Sequence, residues 1–173
     1  GATFTYNGPN VGYVIRLSAK GAKPVTVPEF KKLTEKQLVG TVGSDSGVWR
    51  QAAQRELLVR GAKPGVAEGL QEVVAKNSNI GARVAAIFTL KQLLGAKSHP
   101  ALMTFLKNDD LREYILKALA DDQRIATETP ARPFLDPLNA PHPRVRLPAG
   151  TGPRPPRKAE RGRVLCRRAP RAA

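Results

Sequence analysis

GVWRQAAQRELLVRG, residues 47 to 61, decides the fold, because its apolar pattern returns further along the chain. Arg50 is followed by Ala53 and Leu57, Arg83 by Ala86 and Leu90, and Arg112 by Ile115 and Leu119, at offsets of three and seven each time. Those offsets place two residues on one face of an α-helix. A helical unit recurring about every 30 residues marks stacked helical hairpins, each covering the apolar face of the next. A fourth copy opens at Arg146 and breaks down after Leu147. The expected fold is mainly α, with about three such hairpins in a right-handed solenoid.

Working outward, residues 34 to 147 read as paired helices. Thr34 and Gln37 have the spacing of a capping box, ahead of Leu38, Val39 and Val42. The next helix starts near Asp45 or Ser46, is expected to bury Val48, Trp49, Ala52, Ala53 and Leu57, and stops at Gly61. Pro64 suits the first turn of a helix with Val66, Leu70, Val73 and Val74 on one face, and Asn79 can cap the one after it. In that helix Val84, Ile87, Phe88, Leu90 and Leu94 cover so wide an arc that both sides should be packed. Pro100 opens a short helix, Asp110 with Glu113 is expected to cap the one carrying Ile115 and Leu119, and a last one begins at Pro133.

The flanks differ. Residues 1 to 17, with Thr3 to Tyr6 and Tyr13 to Ile15 around an Asn-Gly-Pro-Asn turn, read as two strands. A lone hairpin is marginal in water, so they are expected to be a remnant of an upstream sheet and the chain a fragment. Residues 18 to 33, with Pro24 and Pro28, read as a linker. Of the 26 residues from Pro148 to Ala173, 20 are Arg, Pro, Ala or Gly, and Pro148 is expected to stop the helix that Arg146 announces. Residues 148 to 173 therefore read as a disordered basic tail. Two origins fit it. One is an out-of-frame or mis-joined translation, favoured because pattern and composition fail together; the other is a genuine basic arm.

The formal charge of +15 is uneven: residues 142 to 173 alone contribute +9. Seven basic residues of that stretch, Arg154, Arg157, Lys158, Arg161, Arg163, Arg167 and Arg168, could contact anions nonspecifically. No aromatic residue interleaves with them for base stacking, so nucleic acid is not the expected partner. Cys166 is the single cysteine, which excludes an internal disulfide.

The strings 47 to 61, ARVAAIFTLKQLLGAKSHPAL (82 to 102), LREYILKALADD (111 to 122) and HPRVRL (142 to 147) resemble HEAT repeats. More narrowly they resemble the repeat region of large bacterial membrane-bound dehydrogenase-like proteins. In that family a β-propeller similar to sugar or sorbosone dehydrogenases precedes the HEAT array, and a cytochrome c domain with a Cys-x-x-Cys-His motif often follows. Residues 1 to 17 are similar to the propeller's last strands. The resemblance implies an upstream propeller and downstream repeats or a haem domain as intramolecular partners, and a further protein partner on the solenoid surface. It also implies a periplasmic or membrane-associated location, and haem c with a sugar-dehydrogenase cofactor in the parent. It carries no catalytic, cofactor or metal residue onto this chain. Cys166, followed by Arg167 and Arg168, departs from the haem motif.

Within the repeats, Arg50, Arg83 and Arg112 are expected to bind loop carbonyls or a carboxylate of the adjacent repeat, against the sharper reading of a basic ladder for phosphates. Trp49 is expected to anchor the core between the first two repeats. Asp109 with Asp110, and Asp121 with Asp122, sit at helix ends and read as capping and loop residues, not as paired catalytic carboxylates. His99 and His142 lack the local spacing of metal ligands. Val39, Val42 and the Phe134 to Leu138 region are expected to be exposed at the array's ends.

Overall fold

A computed structural model describes residues 17, 19–23, 26–122 and 130–152. The two expected strands fall on residues 1 to 16, outside the described residues apart from Leu17, and residues 153 to 173 of the tail also lie outside them. The described part is mainly helical and contains no strand.

The order is α1 (Glu35–Val42), α2 (Gly47–Arg60), α3 (Val66–Lys76), α4 (Ile80–Leu94), α5 (His99–Thr104), α6 (Asp109–Ala120), α7 (Arg132–Leu135) and α8 (Pro143–Gly150). Single 3-10 turns at Phe30–Lys32, Gly95–Ser98, Phe105–Lys107 and Asp136–Asn139 join or extend them. Helices pack in sequential pairs: α1 on α2, α3 on α4, α5 on α6 and α7 on α8. Between pairs α1 meets α3, and α2, α4, α6 and α8 meet in succession. A fourth, short pair thus follows the three that the repeat pattern predicts.

Local chemistry explains the starts and stops. Thr34 closes the predicted capping box: its Oγ1 accepts from Gln37 N–H at 3.3 Å while Gln37 Oε1 accepts from Thr34 N–H at 2.9 Å. Helix α2 ends where Gly61 turns to φ +76°, and Gly65 at φ +77° swings the chain into α3, a conformation that side chains disfavour. Pro64 consequently lies ahead of α3, in the turn, and not in its first helical turn. The cap of α6 is Asn108, whose side chain accepts from Asp110 N–H at 3.1 Å; Asp109 and Asp110 occupy the first turn.

Helix α4 is the centre of the packing. Residues 81 to 91 contain no exposed position, and the helix touches α1, α2, α3 and α6. Its covered arc wraps the whole helix, so amphipathic patterning is lost there. The core runs continuously from Leu38 and Val42 through Ala53, Leu57, Leu70, Ala86 and Leu90 to Ile115, Leu119, Phe134 and Ala149. Each fully buried leucine or isoleucine is worth roughly 1.5–3 kcal/mol in apolar transfer.

Several expected burials are corrected. Val39 and Val42 are buried, because α3 covers α1 closely. The contact is made through Gly69, where a Cβ would stand 2.9 Å from Val39 Cγ1. Val48, expected inside, is 75% exposed on the side of α2 that no helix covers. Trp49 is half-buried and does not anchor the core. Phe134 is buried while Leu135 and Leu138 are exposed. Finally, α8 runs through Pro148 to Gly150. Pro148 forgoes its own bond to the carbonyl four residues back and its ring crowds that carbonyl, yet the helix continues past it and Ala149 is buried.

Candidate functional site

The loop edge of the molecule is built from one device used four times among the described residues. Ser46, Asn79, Asn108 and His142 are the N-caps of α2, α4, α6 and α8. Each accepts a backbone N–H of its own first turn: from Trp49 at 3.4 Å, Ala82 at 3.2 Å, Asp110 at 3.1 Å and Arg144 at 3.3 Å. Four residues after each cap stands an arginine, Arg50, Arg83, Arg112 or Arg146.

Those arginines reach back to carbonyls that the preceding helix or turn leaves unsatisfied. Arg50 Nη1 donates to Ser44 O at 2.8 Å and Asp45 O at 3.0 Å. Arg83 Nε donates to Val74 O at 2.7 Å, and Arg112 Nε to Leu106 O at 3.1 Å. Arg146 Nη1 donates to Ala140 O at 2.8 Å and Pro141 O at 2.7 Å. The last carbonyls of a helix have no partner within it, and a cationic donor there also faces the negative end of the helix dipole. The acceptors belong to the arginine's own hairpin, not to the neighbouring repeat. Arg112 adds a pair with Asp109 at 2.6 Å, again within its own hairpin.

Connections between hairpins come from other residues. Asn77 Nδ2 donates to Gly43 O at 2.9 Å, and Asn79 Nδ2 to Asp45 Oδ1 at 2.9 Å. Arg144 pairs with Glu113 at 3.4 Å. A groove of about 680 Å³ on this edge is lined by residues that include Arg83, Asp110, Arg112, Glu113, His142 and Arg144. It therefore brings Arg83 and Arg112 together, whereas Arg50 lines a separate, smaller groove between α2 and α4. Charges of both signs alternate along the larger groove, so its field favours neither anions nor cations.

The apolar repeat residues Ala53, Leu57, Ala86, Leu90, Ile115 and Leu119 are all core. The candidate anion contacts Arg154, Arg157, Lys158, Arg161, Arg163, Arg167 and Arg168, and Cys166 with them, lie outside the described residues. Asp121 stands just past the end of α6.

Two clusters escape a repeat-based reading. Arg60, at the end of α2, gathers the incoming chain: Nη1 donates to Leu33 O at 2.7 Å, and Nη2 to Lys31 O at 3.0 Å and Phe30 O at 3.3 Å. Its Nε bonds Glu56 at 2.9 Å, and Glu35 lies 3.5 Å from Nη1. The carboxyl of Glu35 is held below its ordinary pKa of 4.5, first by its own backbone N–H at the start of α1 and then by the Arg60 charge. Elsewhere, Lys91 Nζ lies 2.6 Å from His99 Nε2, with the two residues only 6% and 3% exposed. The two side chains share one hydrogen bond, whose donor depends on which ring nitrogen of His99 carries its proton.

Among the described residues no group of three or more His, Cys, Asp or Glu is arranged to hold a metal, and no helix is long and apolar enough to cross a membrane. No protein-family model matches the chain, and neither a curated protein nor a solved structure matches it.

Proposed function

We propose that the chain is a HEAT-like helical solenoid segment that acts as a non-catalytic scaffold, spacing and joining the other domains of a larger oxidoreductase. The observation that carries this reading is the repeated cap-and-arginine device of the loop edge, with each arginine closing the hairpin in which it stands. Hairpins of one construction, each packed on the next, form an array stabilised by its neighbours. Such an array supplies separation and curvature. The titratable groups on the loop edge are engaged in holding loops and joining hairpins, which suits a scaffold better than a reaction centre.

The nature of the parent rests on the resemblance of residues 47 to 61, 82 to 102 and 111 to 122 to the HEAT region of membrane-bound dehydrogenase-like proteins. On that reading a propeller stands upstream, further repeats or a haem c domain stand downstream, and the assembly works at the periplasmic side of a membrane. Sequencing the coding DNA past codon 173 and translating all frames tests it. Continuation of the arginine and leucine pattern to a Cys-x-x-Cys-His motif is the expected result. Confirmation of the present frame, with the chain closing on its basic arm, would overturn it in favour of a stand-alone adaptor whose arm holds nucleic acid nonspecifically. Solution scattering tests the architecture: an elongated particle is expected, and a sphere-like one would sink the solenoid.

A further inference from the structure

The repeated caps put more than the closing arginines in register. Nine residues after Ser46, Asn79 and Asn108 stand Arg55 on α2, Phe88 on α4 and Lys117 on α6. Nine residues make two and a half turns, so each of the three lies on the side of its helix opposite the cap. The core pairs, Ala53 with Leu57, Ala86 with Leu90 and Ile115 with Leu119, face the other way. Because α2, α4 and α6 pack in succession, Arg55, Phe88 and Lys117 form one row across them. Packed helices stand 8–10 Å apart, which makes the row roughly 20 Å long. Its middle is apolar: Phe88 is half-buried and lines a groove of about 280 Å³ with Val84 and Ala85 of α4 and with Gln51 and Gln54 of α2.

The ends of the row are cationic and unanswered. Arg55 and Lys117 are exposed, and neither makes an ion pair among the described residues. Glu113, one turn before Lys117, is turned to Arg144 at 3.4 Å. Asp110 lies about 10 Å along the helix from Lys117, at the loop edge. Helix α4 contains no acidic residue, and the one of α2, Glu56, bonds Arg60. The groove of about 770 Å³ between α1 and α3 carries the opposite excess, with Glu35, Glu68 and Glu72 against Lys36 and Lys76. An acidic ligand is therefore drawn to one face of the array and turned from the other.

We propose that the row Arg55, Phe88 and Lys117 is the surface on which the array holds a partner protein, through an extended acidic segment with an apolar side chain midway between two carboxylates. An extended chain advances 3.3–3.6 Å per residue, so carboxylates about six residues apart reach both ends of the row. Two separated cations neutralise too few phosphates to hold a nucleic acid at physiological salt, but they suffice to select a carboxylate pair and fix its register. The proposal rests on the scaffold reading for the array's role, and adds where the partner lies and what it is made of.

Fluorescence anisotropy of the full chain with a labelled acidic peptide, phenylalanine at its centre, tests it. Arg55→Glu with Lys117→Glu should weaken binding about tenfold, since it sets like charges against the peptide. Both positions are exposed, so the melting temperature should not change. The same variant should bind the peptide with lysines in place of its acids more tightly than the unaltered chain does. Replacing the central phenylalanine by glycine should weaken binding to the unaltered chain and matter little to Phe88→Ala. Arg161→Gln, Arg163→Gln, Arg167→Gln and Arg168→Gln together, which remove tail charge, should leave the effect of the changes at 55 and 117 intact. Affinity that follows the tail and ignores 55 and 117 would overturn the proposal. So would tighter binding of a thymidine oligonucleotide with the same dependence on 55 and 117, which would assign the face to nucleic acid. An elongated particle by scattering that binds neither peptide would overturn it while leaving the scaffold standing.

Discussion

Arg146 Nη1 donates to the carbonyl of Ala140, six residues before it, at 2.8 Å, and Arg50 Nη1 reaches Ser44 over the same separation and distance. The first and last pairs of the described chain therefore share one closure although the repeat pattern that opens at Arg146 breaks down after Leu147. The closures differ in burial, and that difference sets their energetic weight.

Arg83 is half-buried and Arg146 is exposed. Arg83→Met keeps most of the stem while removing the donor to Val74 O, and should cost about 1.5–3 kcal/mol, the usual worth of a charged hydrogen bond. Arg146→Met should cost no more than about 0.5 kcal/mol. Urea denaturation at unchanged m-value measures both; equal losses would show that the closures do not depend on burial.

Gly69 and Gly40 make a paired test of close approach. A Cβ at Gly69 would meet Val39 Cγ1 at 2.9 Å, whereas nothing lies within 4 Å of one at Gly40. Gly40→Ala should stabilise by about 0.8–1 kcal/mol through helix propensity. Gly69→Ala should destabilise by about 1 kcal/mol or more, overpacking outweighing the same gain. In a Val39→Ala background the second change should become neutral or favourable, which thermal melting of the double variant checks.

His99→Ala removes the hydrogen-bond partner 2.6 Å from a buried lysine. Removing one hydrogen-bond partner from a buried side chain should cost about 1–3 kcal/mol. Lys91→Met in the same background should recover part of it, because the methionine fills the space of the stem and needs no hydrogen-bond partner. Chemical denaturation of the two single variants and the double variant closes the cycle, and strict additivity would refute the coupling.

Glu35 gives the pH test. Its folded pKa is lowered by its own backbone N–H and by Arg60, so folding favours the ionised form. The stabilisation is fully present above the unfolded value, near 4.5, and is lost as pH falls through the lower folded value. Glu35→Gln should flatten the acid limb of the stability curve in that window and leave it unchanged near pH 7 in slope. Melting from pH 7 down to pH 3 reads this directly, and an acid limb identical in both proteins would refute the assignment.

What could be read from residues alone was whatever depended on short spacing. The capping box of Thr34, the cap at Asn79, the breaks at Gly61 and Gly95 and the two-sided packing of α4 all follow from patterns within a single helix. The arginine row was visible as a row, but its acceptors are backbone carbonyls, which look alike in every sequence. The cap at Asn108 was passed over because Asp110 and Glu113 imitate a capping pair two residues later. Arg60 was invisible for another reason: its backbone acceptors lie 27 to 30 residues away, in a stretch with no helical period. Lys91 sits in the apolar arc of α4, and only the fold reveals that His99, from the next helix, comes to meet it. Val39 and Val42 read as exposed because a first helix has no helix before it to cover it, whereas α3 seals α1 across Gly69.

The packing of α4 on all its sides also has a consequence in time. On a ribosome α4 is finished at Leu94, but the α6 that covers one of its sides is complete only at Ala120. At synthesis rates of about 5–20 residues per second, that flank stays open to solvent for roughly 1–5 s. For that interval the nascent chain presents a helix still uncovered on one side, and this is the window in which a chaperone would find it.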